Sequence, residues 1–289
     1  MGLVILSRMS PSMQSSKPTI RKRFLQALRF SAVLYLLACV GCAAFQRRMI
    51  YFPPKFTLQQ VDKLAGPARL ERWKNPSGES IGMKRMSLHQ PAAGQVLIVY
   101  GNGGWTIGCA HYADVIQEIA AFDVFILEYP GYADRAGSPS QNSLFRAADE
   151  AFRLLPTNAP IYLVGESLGT GVAAHLAGTW FDKVAGVVML APYNRLTSVA
   201  QYHMPIVPVT LLLVDRFPSQ DYLRVYHGRL AVLIAGQDHV VPERFGRRLY
   251  DRYDGPKRLW KFPDENHESI MNQPPELWKQ VVDFLTTKP

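Results

Sequence analysis

The chain predicts an α/β architecture, a mostly parallel sheet with helices on both faces, and three observations carry that expectation. Almost wholly apolar runs of strand length alternate with stretches of helix length whose apolar residues recur every three to four positions. A glycine-flanked serine, Ser167, lies where one such run gives way to a helical stretch. An aspartate and a histidine, Asp238 and His267, follow in that order at the ends of two later runs. Continuous apolar runs suit strands buried on both faces, and their alternation with helices suits right-handed crossovers.

The first element is a targeting segment. Phe30 to Phe45 carries no charge, with a basic cluster before it and Arg47-Arg48 after it. That length is short for a bilayer span, which needs about 17 to 25 apolar residues, but Phe24 to Ala27 extend it if Arg29 snorkels to the interface. Three fates fit: a retained anchor, a cleaved signal peptide ending near Cys42-Ala43-Ala44, and a weak lipobox at Leu36-Leu37-Ala38-Cys39. A buried core helix would not need the one-sided basic flank, which predicts a cytoplasmic amino terminus and a body outside the cytoplasm. If the segment is cleaved, the body is secreted or periplasmic. Upstream, Met1-Gly2 lacks the Ser or Thr at position six that myristoylation requires, and Ser7 to Pro18 is polar and predicted to be disordered.

This segment also explains the net charge of +9. Residues 1–48 hold eight basic side chains and no acid, leaving 24 basic against 23 acidic residues in the body. A nearly neutral body does not carry the footprint of a nucleic-acid binder. The whole chain's 48% hydrophobic and 19% charged content excludes a mostly disordered protein. The expected organisation is therefore a basic region with an apolar segment over 1–48 and one α/β domain over 49–289.

In the body, edge strands are expected around Arg69 to Trp73 and Ile81 to Leu88. The buried strands are Gln95 to Tyr100, Phe122 to Tyr129, Pro160 to Gly165, Val184 to Ala191, Leu230 to Gly236 and Arg258 to Pro263. Helices are predicted at Tyr112 to Ala120, Ser143 to Leu155, Leu168 to Trp180, Pro242 to Tyr253 and Glu276 to Thr286. Tyr193 to Gly228, with Pro205, Pro208 and Pro218, is too long for a plain crossover. It reads either as a small helical cap beside the active-site edge or as an enlarged surface helix.

Gly165-Glu166-Ser167-Leu168-Gly169 follows a predicted strand and opens a predicted helix, the context of a nucleophile elbow. A serine hydroxyl needs a base with a pKa near 7 and a carboxylate to orient that base. His267, in Asp264-Glu265-Asn266-His267-Glu268 after the last strand, is the expected base. His89, His111, His175, His203 and His227 sit in less suitable places, and His239 is the rival because it neighbours the acid. Asp238, two residues past Gly236, is the expected acid, with a plain turn or helix cap as its other reading. The Leu168 backbone N–H supplies one oxyanion donor, and the loop Tyr100-Gly101-Asn102-Gly103-Gly104-Trp105 supplies the second, assigned to the Asn102 N–H. The alternative for that loop is an ordinary glycine turn; no GK[ST] ending makes it a phosphate cradle. Cys39, Cys42 and Cys109 offer neither metal spacing nor a disulfide framework, so no metal or cofactor is expected. Tyr132 and Asp134 read either as a structural turn or as the rim of the site.

Together these residues resemble the α/β-hydrolase superfamily from about Arg48 to the carboxyl terminus, in particular its serine aminopeptidase-like branch with the membrane-associated depalmitoylating thioesterases. The similarity rests on the strand before GESLG, on AGQDHVVP, on NHES and on EYPGYADRAGSPS from Glu128 to Ser140. Two positions depart from it: the family's frequent HGN is Tyr100-Gly101-Asn102, and the usual acid of DYRGYG is Glu128. The resemblance implies the α/β-hydrolase fold and a membrane-attached serine hydrolase cleaving carboxylic esters or thioesters of a small or lipid-like acyl substrate through an acyl-enzyme. A peptidase of the serine aminopeptidase type is the alternative within the branch; it would need an anionic group for the substrate amine, with Glu166, Glu265 and Glu268 as candidates. A non-catalytic membrane-bound binding protein on the same scaffold is the alternative outside enzymology. Oligomeric state has no signal in the chain.

Overall fold

The computed structural model describes residues 20–156 and 159–287. The amino-terminal stretch from Met1 to Pro18, including Arg8 and Lys17, lies outside them. The chain divides into two compact units, Met1–Ala44 and Phe45–Pro289. The described part of the first is helical and belongs to α1 (Ile20–Ile50), whose apolar window has a mean hydropathy of 1.9 and is 6% buried.

The second unit is built on an eight-stranded sheet, counted among the described residues, in the order β1-β2-β4-β3-β5-β6-β7-β8. Its strands are β1 (Glu71–Lys74), β2 (Ser80–Arg85), β3 (Gly94–Val99), β4 (Phe122–Leu127), β5 (Ile161–Glu166), β6 (Val184–Leu190), β7 (Arg229–Ala235) and β8 (Lys257–Phe262). β1 and β2 pair antiparallel, β2 pairs antiparallel with β4, and every pairing from β4 through β8 is parallel. The fold is thus a mostly parallel α/β sheet, with the two early strands at one edge. β3 and β4 are buried along their whole length, as near-continuous apolar sequence requires.

The crossover helices are α3 (Ala110–Ile119), α4 (Gln141–Arg153), α5 (Gly169–Thr179) and α9 (Glu243–Asp251), and α10 (Pro275–Thr286) follows the last strand. They cover both faces, because successive strand residues point to opposite sides. Val164 lines a small apolar gap with Trp278 and Val281 of α10. The next residue, Gly165, approaches Thr170 and Ala173 of α5 so closely that an added Cβ would lie 2.9 Å from each.

Two regions add to what periodicity predicted. α2 (Leu58–Ala65) is a helix that the apolar pattern did not announce; its start is held by a capping box in which Thr57 and Gln60 exchange side chain-to-backbone bonds. The Tyr193 to Gly228 stretch contains α6 (Leu196–His203), α7 (Val209–Leu212) and α8 (Ser219–Tyr222). α8 lies on α5, where a Cβ at Gly178 would meet the Tyr222 carbonyl oxygen at 2.5 Å. α6 and α7 pack on each other instead.

Candidate active site

Ser167 sits between β5 and α5 with a backbone φ of +48°. A left-handed conformation on a non-glycine residue costs of order 1–3 kcal/mol and persists only where its surroundings demand it. Here they do. The Ser167 N–H donates to the Leu190 carbonyl at 2.9 Å, and the Ser167 carbonyl accepts from the Thr170 N–H at 3.0 Å and its hydroxyl at 2.7 Å. Both glycines of the motif are sterically required: a Cβ on Gly169 would fall 2.2 Å from the Val99 carbonyl oxygen, and Gly165 has the contact with α5 described above. The strand can therefore turn sharply into the helix and hold the serine at the carboxyl edge of the sheet.

Asp238 and His267 meet this serine from the ends of β7 and β8, on the far side of β6. Nε2 of His267 is 2.9 Å from Ser167 Oγ, and Nδ1 is 2.7 Å from Asp238 Oδ2. A carboxylate only accepts, so Nδ1 carries the proton and Nε2 presents its lone pair to the serine hydroxyl. The Asp238 side chain is 1% exposed, and its other oxygen accepts from the Val240 and Val241 N–H groups at 2.8 and 2.6 Å. Asp238 thus forms the turn envisaged for it and also faces His267. The histidine loop is folded on itself by Asn266, whose side-chain oxygen accepts from the Glu268 and Ser269 N–H groups. A Gln237 N–H to Glu265 carbonyl bond of 2.9 Å ties it to the acid loop. Gly236 permits that approach, since a Cβ there would strike the Pro263 carbonyl oxygen at 2.5 Å.

The other histidines are elsewhere. His239 is exposed beside Asp238, His175 pairs with Asp149 at 3.1 Å, His111 bonds the Gly108 carbonyl, and His203 bonds that of Val240. His89 and His227 are exposed.

The two proposed oxyanion donors share one geometric device. The Gly101 carbonyl accepts from the Gly104 N–H at 3.2 Å, and the Ser167 carbonyl is held by Thr170. In a planar trans peptide the following N–H points the opposite way, so the Asn102 and Leu168 N–H groups are turned out of their turns. Among the described residues neither donates to a backbone acceptor. The Asn102 carbonyl is in turn fixed by the Phe52 N–H at 3.0 Å and the Tyr132 hydroxyl at 2.7 Å. Tyr132 therefore supports this loop, and Asp134 is an ion-pair partner of Arg72 at 2.8 Å.

The two departures from the family pattern are partners. The Tyr100 hydroxyl donates to Glu128 Oε1 and accepts from the Tyr129 N–H at 3.0 Å. Thr106 donates its hydroxyl at 2.8 Å and its N–H at 3.3 Å to Glu128 Oε2. Burial pushes the Glu128 carboxyl up to about 7, against the pull of the Tyr100 and Thr106 bonds. Glu166, in the middle of the elbow, is also raised by burial, while the Tyr112 hydroxyl at 3.0 Å and the Gly101 N–H favour its charged form. Neither Thr106 nor Tyr112 was marked by the sequence; their signal is only that each follows or lies near a buried carboxylate in space. Among the described residues no group of three or more His, Cys, Asp and Glu side chains could hold a metal ion.

A family model described as an alpha/beta hydrolase fold matches residues 94–217, which run from β3 through the elbow to the end of the α6–α7 segment. A protein of Mycobacterium tuberculosis, Rv2307c, is 29% identical over 262 residues, covering 84% of this chain and 88% of that one. The lysophosphatidylserine lipase ABHD12 of Xenopus tropicalis is 25% identical over 203 residues, covering 62% of this chain and 51% of that protein. Among solved structures, Est1E from Butyrivibrio proteoclasticus, bound to ferulic acid, superposes with a TM-score of 0.58 at 16% identity, over 73% of this chain and 96% of that one. With the sheet order, the elbow and these matches together, the chain has the α/β-hydrolase fold.

Proposed function

We propose that the protein is a serine hydrolase that cleaves carboxylic ester or thioester bonds through an acyl-enzyme. The reading rests on one observation above the others: the continuous hydrogen-bond chain from Ser167 Oγ through His267 to Asp238. Ser167 Oγ attacks the substrate carbonyl carbon as its proton passes to His267 Nε2, and Asp238 stabilises the resulting imidazolium. The Asn102 and Leu168 N–H groups receive the developing oxyanion. Collapse expels the alcohol or thiol, which takes its proton from His267, and leaves the acyl group on Ser167. Water, deprotonated by His267, then attacks the acyl carbon; the bond to Ser167 Oγ breaks, Oγ takes the proton back from His267, and the acid leaves.

Hydrolysis of an ester is favoured over aminopeptidase chemistry because Glu166, the acid nearest the serine in sequence, is committed to Tyr112 and Gly101. Glu268 is exposed and Glu265 half-buried on the histidine loop. The lipase among the relatives points the same way. In this reading residues 1–48 are a basic region that carries the apolar membrane segment, residues 49–289 the hydrolase domain outside the cytoplasm, and 193–228 a cap-like insertion. A fluorophosphonate probe should label the wild type and fail to label Ser167→Ala. Labelling that persists at another residue would overturn the assignment.

A further inference from the structure

The residues that follow the apolar stretch are bolted to the carboxyl edge of the sheet, next to the site. The Gln46 side chain donates to the Leu212 carbonyl at 3.2 Å and accepts from the Val214 N–H at 2.7 Å. Arg47 pairs with Asp215 at 3.1 Å, and the Tyr51 hydroxyl donates to the same carboxylate at 3.0 Å. One residue further on, the Phe52 N–H holds the Asn102 carbonyl of the oxyanion loop. Helix to Ile50 and extended chain beyond it place Phe52 within about 15 Å of Phe45, at 1.5 Å per helical and about 3.5 Å per extended residue. The oxyanion loop is therefore close to the point where the apolar segment ends.

Large apolar side chains gather around that junction without covering. Phe52 is 55% exposed, Leu211 79%, Val214 64% and Val240 50%. Val240 follows Asp238 by two residues, and His203 of α6 is bonded to its carbonyl at 2.9 Å. The nearby carboxylate, Asp215, is 4% exposed and paired, so it adds no free negative charge to this face. On its flank a cleft between α6 and α9 is lined by Arg244, Arg248 and Tyr202, and both arginines are exposed. Apolar side chains rimmed by guanidinium groups suit acyl chains below and headgroup phosphates at the surface.

We propose that the face formed by Phe52, Leu211, Val214 and Val240 docks on the phospholipid bilayer that the apolar part of α1 enters, opening the mouth beside Ser167 at the lipid surface. An acyl substrate then reaches the serine from the membrane without crossing water. The inference rests on the reading of α1 as a membrane segment and needs no turnover at Ser167.

The test is site-directed spin labelling of the full chain in vesicles of phosphatidylcholine and phosphatidylglycerol, with Cys39, Cys42 and Cys109 replaced by alanine. Nitroxides are placed at Leu211→Cys and Val214→Cys and, as a control, at Phe181→Cys, which is 56% exposed in the turn before β6 at the opposite edge. The expected result is flotation with the vesicles, with collisions at 211 and 214 shifted towards membrane-soluble oxygen and those at 181 towards a water-soluble nickel chelate. Nickel accessibility at 211 and 214 equal to that at 181 would overturn the docking and leave the membrane segment standing. Shielding from both reagents would overturn it in favour of a protein partner or second copy. Failure to float would overturn the docking and the membrane reading together.

Discussion

The two sides of Ser167 are supported in different ways. The acid and histidine loops are tied mostly by their own residues: Asp238 binds Val240 and Val241, and Asn266 binds Glu268 and Ser269. The oxyanion loop is held by distant residues, with Tyr129 and Glu128 on Tyr100, and Phe52 and Tyr132 on Asn102. A locally tied loop keeps its shape wherever its sequence is kept, whereas a remotely tied loop can change one partner if the other changes with it. That difference accounts for where this chain departs from the family pattern. Both departures belong to the remote tie, Tyr100 at the start of the loop and Glu128 as its distant partner, and they touch.

The comparison breaks most severely on the local side. Ser167→Ala or His267→Ala should lower kcat for an ester substrate on the order of 10⁶-fold, with the double variant no worse, because the pair acts as a unit. Asp238→Asn should cost about 10⁴-fold while the fold is kept, since the amide cannot hold Nδ1 protonated. Steady-state kinetics with circular dichroism as the folding control measures both, and full activity in either serine or histidine variant would refute the scheme.

On the remote side the effects are smaller and divided between stability and rate. Tyr100→Phe removes a donor to Glu128 and strands the Tyr129 N–H, at about 1–3 kcal/mol of stability. Its kcat should fall on the order of tenfold, about 1.4 kcal/mol, with KM little changed. Tyr100→His combined with Glu128→Asp rebuilds the family's pair and should recover rate that neither single change keeps. Equal defects in the double variant and the sum of the singles would mean that the two positions act independently.

The last effect is a pH dependence of stability. Burial raises the Glu128 carboxyl, so the folded state holds its proton at pH values where the unfolded chain has lost it. Stability must then fall as pH rises between about 4.5 and about 7, and the contribution is full below that window. A shift of this size corresponds to about 3 kcal/mol. Glu128→Gln cannot ionise, so its denaturant midpoint should change less than that of the wild type between pH 5 and pH 7. An identical pH slope in both proteins would show that Glu128 does not titrate in this range.

Much of this was legible in the chain because it depends on local spacing. The buried runs, the helices between them and the glycines around Ser167 each report their own surroundings. Gly169 must be glycine because the elbow brings the Val99 carbonyl onto it, and such a demand leaves a mark in the sequence. Apolar periodicity does not announce α2, although Thr57 and Gln60 form a capping box, because an amphipathic helix of only eight residues is too short to show a repeat.

By itself the sequence determined the class of fold, the order of serine, acid and histidine, and the presence of one apolar segment with a basic flank. Tertiary structure put His267, and not its rival His239, on Ser167; it alone decided that Tyr100 meets Glu128 and that the end of α1 is fastened beside the oxyanion loop. The physical reason is the strand order β4-β3-β5-β6-β7-β8, which brings together loops separated by up to 100 residues. Periodicity tells which side of an element is buried. Which element lies next to it depends on how the whole sheet closes its apolar faces.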